Sequence, residues 1–153
     1  MIEIEDHIDA PEEELKRAEH LIYVSLKITR TCGIMKNAIK RLIDAYELGF
    51  TEILEALYNS GQIEKVPNSI KEKSEKVKEL VSDVNFTKYM RHYNLLKRID
   101  ASTCENISEF RKGVTLKVLS GRLVEVKIDT LYEYLEITKE GVKFIRNWIS
   151  KNV

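Results

Sequence analysis

The sequence predicts a mainly α fold: an antiparallel helical bundle carrying one β-hairpin, 113–128, ahead of the C-terminal helix. Three observations carry this reading. Apolar residues recur at three- and four-residue steps in five separate segments, the period of an amphipathic helix. Glycine (6) and proline (2) are scarce, which argues against a turn-rich all-β chain. Only one stretch alternates with the period of two that marks strands. At 153 residues the chain corresponds to one domain, 1–153, long enough to bury a core without metals or disulfides.

Residues 1–8 read as a short tail. Asp9 and Pro11 then mark a helix start, with Glu12 completing a box of the capping type. Leu15, Ala18, Ile22, Ser25 and Thr29 form the stripe of a helix near 10–30, widened by Leu21, Leu26 and Ile28. Thr31-Cys32-Gly33 interrupts it. A longer stripe near 34–58 follows, through Met35, Ala38, Ile39, Leu42, Tyr46, Gly49, Ile53 and Leu57. It closes at Asn59-Ser60-Gly61, a good C-terminal cap. Gly49 on that stripe either permits close helix approach or is a tolerated glycine. Ser69 to Glu72 is a capping box opening a Lys/Glu-rich helix near 69–82, anchored by Ile70, Val77, Leu80 and Val81. Phe86, Tyr89, Met90, Tyr93 and Leu96 give the inner face of a fourth helix near 86–99.

Val114, Leu116 and Val118, then Val124, Val126 and Ile128, alternate with polar residues and form the hairpin. A three-residue loop at Leu119-Ser120-Gly121 keeps the apolar faces together and sets Leu116 opposite Val124. Asp129 or Thr130 caps the last helix, near 130–150. Its two stripes run through Leu131, Leu135, Thr138, Val142, Ile145 and Ile149, and through Tyr134, Ile137, Gly141, Phe144 and Trp148. So wide an apolar arc implies deep packing or a shared interface, and a homodimer is expected. Thr138-Lys-Glu-Gly141 could restart this helix with a kink.

The formal net charge is zero, so no global electrostatic attraction to nucleic acid or membranes exists. The Lys/Glu/Ile balance is that of thermophile proteins. Cys32 and Cys104 lie far apart and form no CxxC, which removes zinc and redox readings. They read as free, buried or half-buried thiols of a reducing compartment. No apolar run approaches the ~18 residues of a membrane span, and Glu3, Glu5 and Asp6 make the N-terminus unlike a signal peptide. The expected location is cytoplasmic, with no membrane association.

None of the histidines, His7, His20 and His92, has a carboxylate three residues before it, so the Glu-x-x-His of di-iron bundles is absent. Metalloprotease, nucleophile-elbow, phosphate-loop and dinucleotide motifs are absent too. No catalytic residue, metal or cofactor is therefore expected, and Glu19 with His20 reads as solvated or capping. One basic constellation remains. Lys88, Arg91, His92 and Arg98 fall opposite the apolar face of the fourth helix, with Lys97, Arg111 and Lys112 near in sequence. Such a patch could contact phosphates, with Tyr89 or Tyr93 for stacking. A solvated face beside core tyrosines accounts for the same residues. Arg30 could pair with Asp44 or Glu47, or meet a ligand.

Ala18-Glu-His-Leu-Ile-Tyr23, then Thr29-Arg-Thr31, then the second stripe through Ala45-Tyr46-Glu47, resembles the opening helical pair of HEPN-type domains. Glu109-Phe-Arg-Lys112, the hairpin and Thr138-Lys-Glu140 resemble an uncharacterised archaeal branch of such bundles. The resemblance implies an antiparallel bundle, often dimeric, in a family many of whose members cleave RNA or pair with small nucleotidyltransferases. Its ribonucleases carry Arg, four to six residues, then His. Here Arg17 lies three before His20 and Arg91 adjoins His92, so no catalytic residue carries over. Leu135-Glu-Ile-Thr-Lys-Glu-Gly141, with Val142 and Phe144, also resembles the last strand and helix of archaeal winged-helix DNA-binding proteins, the hairpin being the wing. These readings leave a non-catalytic module binding a protein or nucleic acid partner, RNA included. The alternatives are a HEPN-type RNA-processing enzyme with a degenerate site and a winged-helix DNA binder.

Overall fold

The computed structural model describes residues 10–28, 31–102, 116–119 and 123–153. Helix α1 (Pro11–His20) continues through a π-helical turn, Leu21–Ser25, into a last α-turn, Leu26–Ile28. Pro11 occupies the first turn, and Glu12, Glu13 and Glu14 place negative charge at the positive end of the helix dipole. The N-cap is Ala10, which makes no side-chain capping bond; Asp9, the expected cap, lies outside the described residues. Leu15, Ala18, Ile22 and Leu26 face inward as the stripe predicts. Ile28 does not: it is 81% exposed.

Helix α2 (Cys32–Asn59) begins where Thr31 turns extended and its hydroxyl oxygen accepts the Ile34 N–H at 3.2 Å. Every residue of the predicted stripe on α2 is buried. The helix stops at a glycine cap. Gly61 adopts φ +80°, and the Gly61 and Gln62 N–H groups donate to Tyr58 and Leu57 at 3.0 and 2.8 Å. Helix α3 (Ile70–Leu80) opens on the predicted Ser69–Glu72 pair. The Ser69 oxygen accepts the Glu72 N–H at 3.2 Å, and its hydroxyl donates to the Glu72 carboxylate at 3.1 Å. Helix α4 (Val84–Ala101) is capped by Asp83, which accepts the Asn85 N–H at 2.9 Å.

Strands β1 (Leu116–Leu119) and β2 (Leu123–Val126) pair antiparallel, Leu116 opposite Val126 and Val118 opposite Val124. Three residues separate the strands, as expected, but they are 120–122, so Leu119 pairs with Leu123 and the predicted register is off by two. Helix α5 (Ile128–Asn152) is capped at Lys127, so both expected caps, Asp129 and Thr130, fall inside the helix. Thr130 sits inside its first turn and accepts the Lys127 N–H at 3.1 Å. The helix runs without a break through Thr138–Gly141, so the restart is not observed, nor is the strand that a winged-helix reading needs at 135–141.

Helix α2 is the central element, in contact with α1, α3, α4 and α5. Gly49 and Gly141 set the approach of α2 and α5. A Cβ on Gly49 would fall 2.7 Å from Ile145 Cδ1, and one on Gly141 would fall 2.9 Å from Tyr46 Cε1. Phe50 packs edge-on against Tyr93 (5.0 Å between centroids) and Phe86 (6.1 Å), and Phe86 stacks on Phe144 (5.9 Å). Such pairs contribute roughly 0.5–1.5 kcal/mol each beyond area burial. They also account for the broad apolar arc of α5, since its second stripe packs on α4. Cys32 is buried and disulfide-bonded, which overturns the free-thiol expectation there; Cys104 lies outside the described residues. No helix among the described residues is long and apolar enough to cross a membrane.

Candidate functional site

Helix α4 carries the expected basic residues, but not as one patch. Arg91 and Arg98 lie seven residues apart, about two turns or ~10 Å along the axis, and share its outer face. Both are exposed and without a carboxylate partner among the described residues. Lys88 is exposed but engaged: its ammonium lies 3.6 Å from Glu140 and 5.5 Å from the centroid of the Tyr89 ring. Lys97 sits 5.3 Å from the Tyr93 centroid. Arg111 and Lys112 lie outside the described residues, as does Arg30.

His92 departs from the expectation. Its side chain is buried, not opposite the apolar face. Nδ1 shares a 2.9 Å hydrogen bond with the Tyr46 hydroxyl, and the ring meets Tyr134 edge-on at 5.1 Å. Nε2 is buried with no hydrogen-bond partner among the described residues. Burial, with the Lys88 charge adding, pushes the imidazole pKa down to about 4, so the ring is neutral at ordinary pH. The signal was in the sequence: position 92 follows Tyr89 by three and precedes Leu96 by four, which puts it on their face. One step on, Tyr93 donates its hydroxyl to Glu47 at 2.8 Å, and burial, then Glu47, raises the phenol pKa.

A second polar centre was not legible in the sequence. Glu14 is 3% exposed, yet its carboxylate accepts from Arg17, one turn along α1, and from Arg41 of α2 at 3.1 Å. The Arg41 contact spans 27 positions, so only tertiary packing creates it. Two clefts share Arg41. One, of about 430 Å³, is lined by Glu14, Arg41, Asp44, Glu47, Leu48, Thr51 and Ile70. There burial raises the Asp44 pKa; Glu14 and Glu47 push the same way, against Lys40 and Arg41. The other, of about 330 Å³, is lined by Glu13, Lys16, Arg17, His20, Leu21, Asn37 and Arg41. The first carries an excess of carboxylates, the second an excess of cations. Glu19 pairs with Lys139 at 3.1 Å, while His20 is exposed, and the described residues hold no group of three or more His, Cys, Asp or Glu placed to bind a metal.

Comparison of the chain with family models, curated proteins and solved structures finds no match.

Proposed function

We propose that this chain is a non-catalytic helical-bundle module whose α4 outer face contacts the phosphates of a nucleic acid partner. The observation that carries the reading is the pair Arg91 and Arg98, exposed, aligned and unpartnered by carboxylates among the described residues. Phosphate contacts release condensed counterions, so affinity falls steeply with salt and depends little on sequence. A filter-binding titration with single-stranded RNA at low and moderate salt tests this. Replacing Arg91 and Arg98 together by Ala is expected to weaken binding and flatten the salt dependence without unfolding the protein. No RNA binding at low salt, or a double variant that binds like wild type, rules it out.

The HEPN-like antiparallel bundle belongs to the same proposal, within an uncharacterised archaeal branch. Its support is the order of the contacts. Glu19 meets Lys139 while Glu12 meets Arg146; Phe50 meets Phe86 while Lys36 meets the Ser102 carbonyl at 2.7 Å. Numbers that rise along one helix fall along its neighbour. One observation favours a second reading, a HEPN-type RNA-processing enzyme with a degenerate site: Arg17 and His20 line one cleft. RNA cleavage by the wild type and its loss in His20→Ala would decide for it. A homodimer is proposed through exposed Tyr23, Val24 and Ile28 rather than through α5, with sedimentation equilibrium at tens of micromolar as its test. A cytoplasmic location completes the reading. The Cys32 disulfide accords with it in a thermophile, because intracellular disulfides persist in hyperthermophiles.

A further inference from the structure

A cleft of about 340 Å³ lies between the start of α4 and the last turns of α5, at the small end of ligand sites, where ~300–1,000 Å³ is usual. Phe144, Asn147, Trp148 and Lys151 stand at positions i, i+3, i+4 and i+7 and so share a face of α5. Asp83 and Asn85 face them from the start of α4. The aromatic floor has two parts of different status. Phe144 is engaged with Phe86 and Tyr89, whereas Trp148 is half-buried and pairs with no other ring among the described residues. The polar rim has spare capacity. Asp83 spends one carboxylate oxygen on the Asn85 N–H, and the amides of Asn85 and Asn147 and the Lys151 ammonium bond no protein group among the described residues.

The lining decides the ligand class. One carboxylate and one ammonium cancel, so the cleft gives a phosphate no net attraction. The rim amides are exposed and offer donors and acceptors that a purely apolar occupant would leave unused. What matches is an uncharged ring with one C–H face and a hydroxyl edge. We propose that this cleft binds a neutral saccharide ring, its apolar face on Trp148 and its hydroxyls bonded by Asn85, Asn147, Asp83 and Lys151. The site is separate from Arg91 and Arg98 and stands without the nucleic-acid reading.

Trp148 is the only tryptophan of the chain, so its fluorescence reports this cleft alone. The intact protein is titrated with glucose, mannose, galactose, N-acetylglucosamine, maltose and cellobiose, and separately with adenosine and uridine. The expected result is a saturable change in Trp148 emission with at least one saccharide. Affinity for it should fall about tenfold or more in Asn147→Ala, an exposed position, with the far-ultraviolet circular dichroism unchanged. Should Asn147→Ala disturb the fold, Lys151→Ala provides the same comparison. Three results overturn the proposal: no saturable change with any of these saccharides at tens of millimolar, saturation by the nucleosides alone, or folded variants that bind like wild type.

Discussion

The Tyr46 hydroxyl and His92 Nδ1 lie 2.9 Å apart in the interior, joining α2 to α4 by a hydrogen bond that leaves Nε2 buried and, among the described residues, unpaired. Its consequence is a pH dependence of stability. Unfolded, His92 takes up a proton near 6.5; folded, it resists until about 4. Between those values the unfolded state binds more protons, so stability is present above pH 6.5 and is lost as pH falls toward 4. The groups facing the ring are Lys88 on its own helix, Tyr46 from α2 and Tyr134 from α5. A displacement of this size corresponds to roughly 3 kcal/mol at most. Urea unfolding at pH 7 and pH 4.5 checks it. His92→Leu should lose less stability across the interval than wild type, and an identical loss would refute the assignment.

The two glycines of the α2–α5 contact should behave differently when a methyl is added. Alanine gains about 1 kcal/mol of helix propensity at either site. At Gly141 the new Cβ meets the Tyr46 ring at 2.9 Å and the half-buried Tyr89 ring at 3.1 Å, and the fully buried Tyr46 ring cannot step aside cheaply. At Gly49 it meets the Cδ1 end of Ile145, which can rotate away. Gly141→Ala is therefore expected to destabilise by roughly 1–2 kcal/mol net, and Gly49→Ala by less. Thermal midpoints that rank the two variants in the opposite order would show that the rings have room to move.

Glu14→Gln should cost about 1–3 kcal/mol, since it removes the carboxylate that gathers Arg17 and Arg41 while leaving polar atoms buried. Arg41→Ala should cost less, because Glu14 keeps Arg17 and the Arg41 side chain is 37% exposed and partly solvated. Denaturant midpoints measured at low and high salt distinguish the contributions: the Arg41 effect shrinks with salt, while a salt-independent Glu14 effect marks a buried loss.

Thr31→Ala removes the acceptor of the Ile34 N–H at the head of α2 and is expected to cost about 1 kcal/mol. Thr31→Asn, which can cap equally well, should restore most of it. A native-state hydrogen-exchange profile should place the change in the first turn of α2, and protection lost evenly along the helix would argue against a local capping role.

How far the sequence reaches depends on the range of the interaction. The Ser69–Glu72 cap, the Gly61 stop and the whole inner stripe of α2 were readable because each is decided within one or two turns. The hairpin faces were readable but its register was not. Sliding one strand by two residues keeps every apolar side on its face, so alternation cannot separate Leu116 opposite Val124 from Leu116 opposite Val126. Thr130 looked like a cap because caps and first-turn residues draw on the same polar side chains. In the candidate sites, exposure of Arg91 and Arg98 followed from periodicity, whereas counting cations swept in His92, which periodicity alone would have placed inside. The Glu14–Arg41 contact and the Trp148 cleft join residues from different helices, and nothing local encodes them.

Arg146 clasps three helices at once. From α5 it donates to Glu12 at the head of α1, at 2.9 and 2.7 Å, and to Glu52 of α2, an arrangement that holds the Glu12 carboxyl below its usual range. Held in partly solvated surroundings, the triad contributes modestly near 25 °C, where the cost of stripping water from charges offsets most of the attraction. That cost declines on heating, while the gain per unit of buried apolar area levels off. Arg146→Met, which retains the stem and removes the charge, should thus lower the melting temperature by more than its effect on room-temperature stability suggests. The clasp is a fastening that tightens, relative to the rest of the fold, as the protein warms.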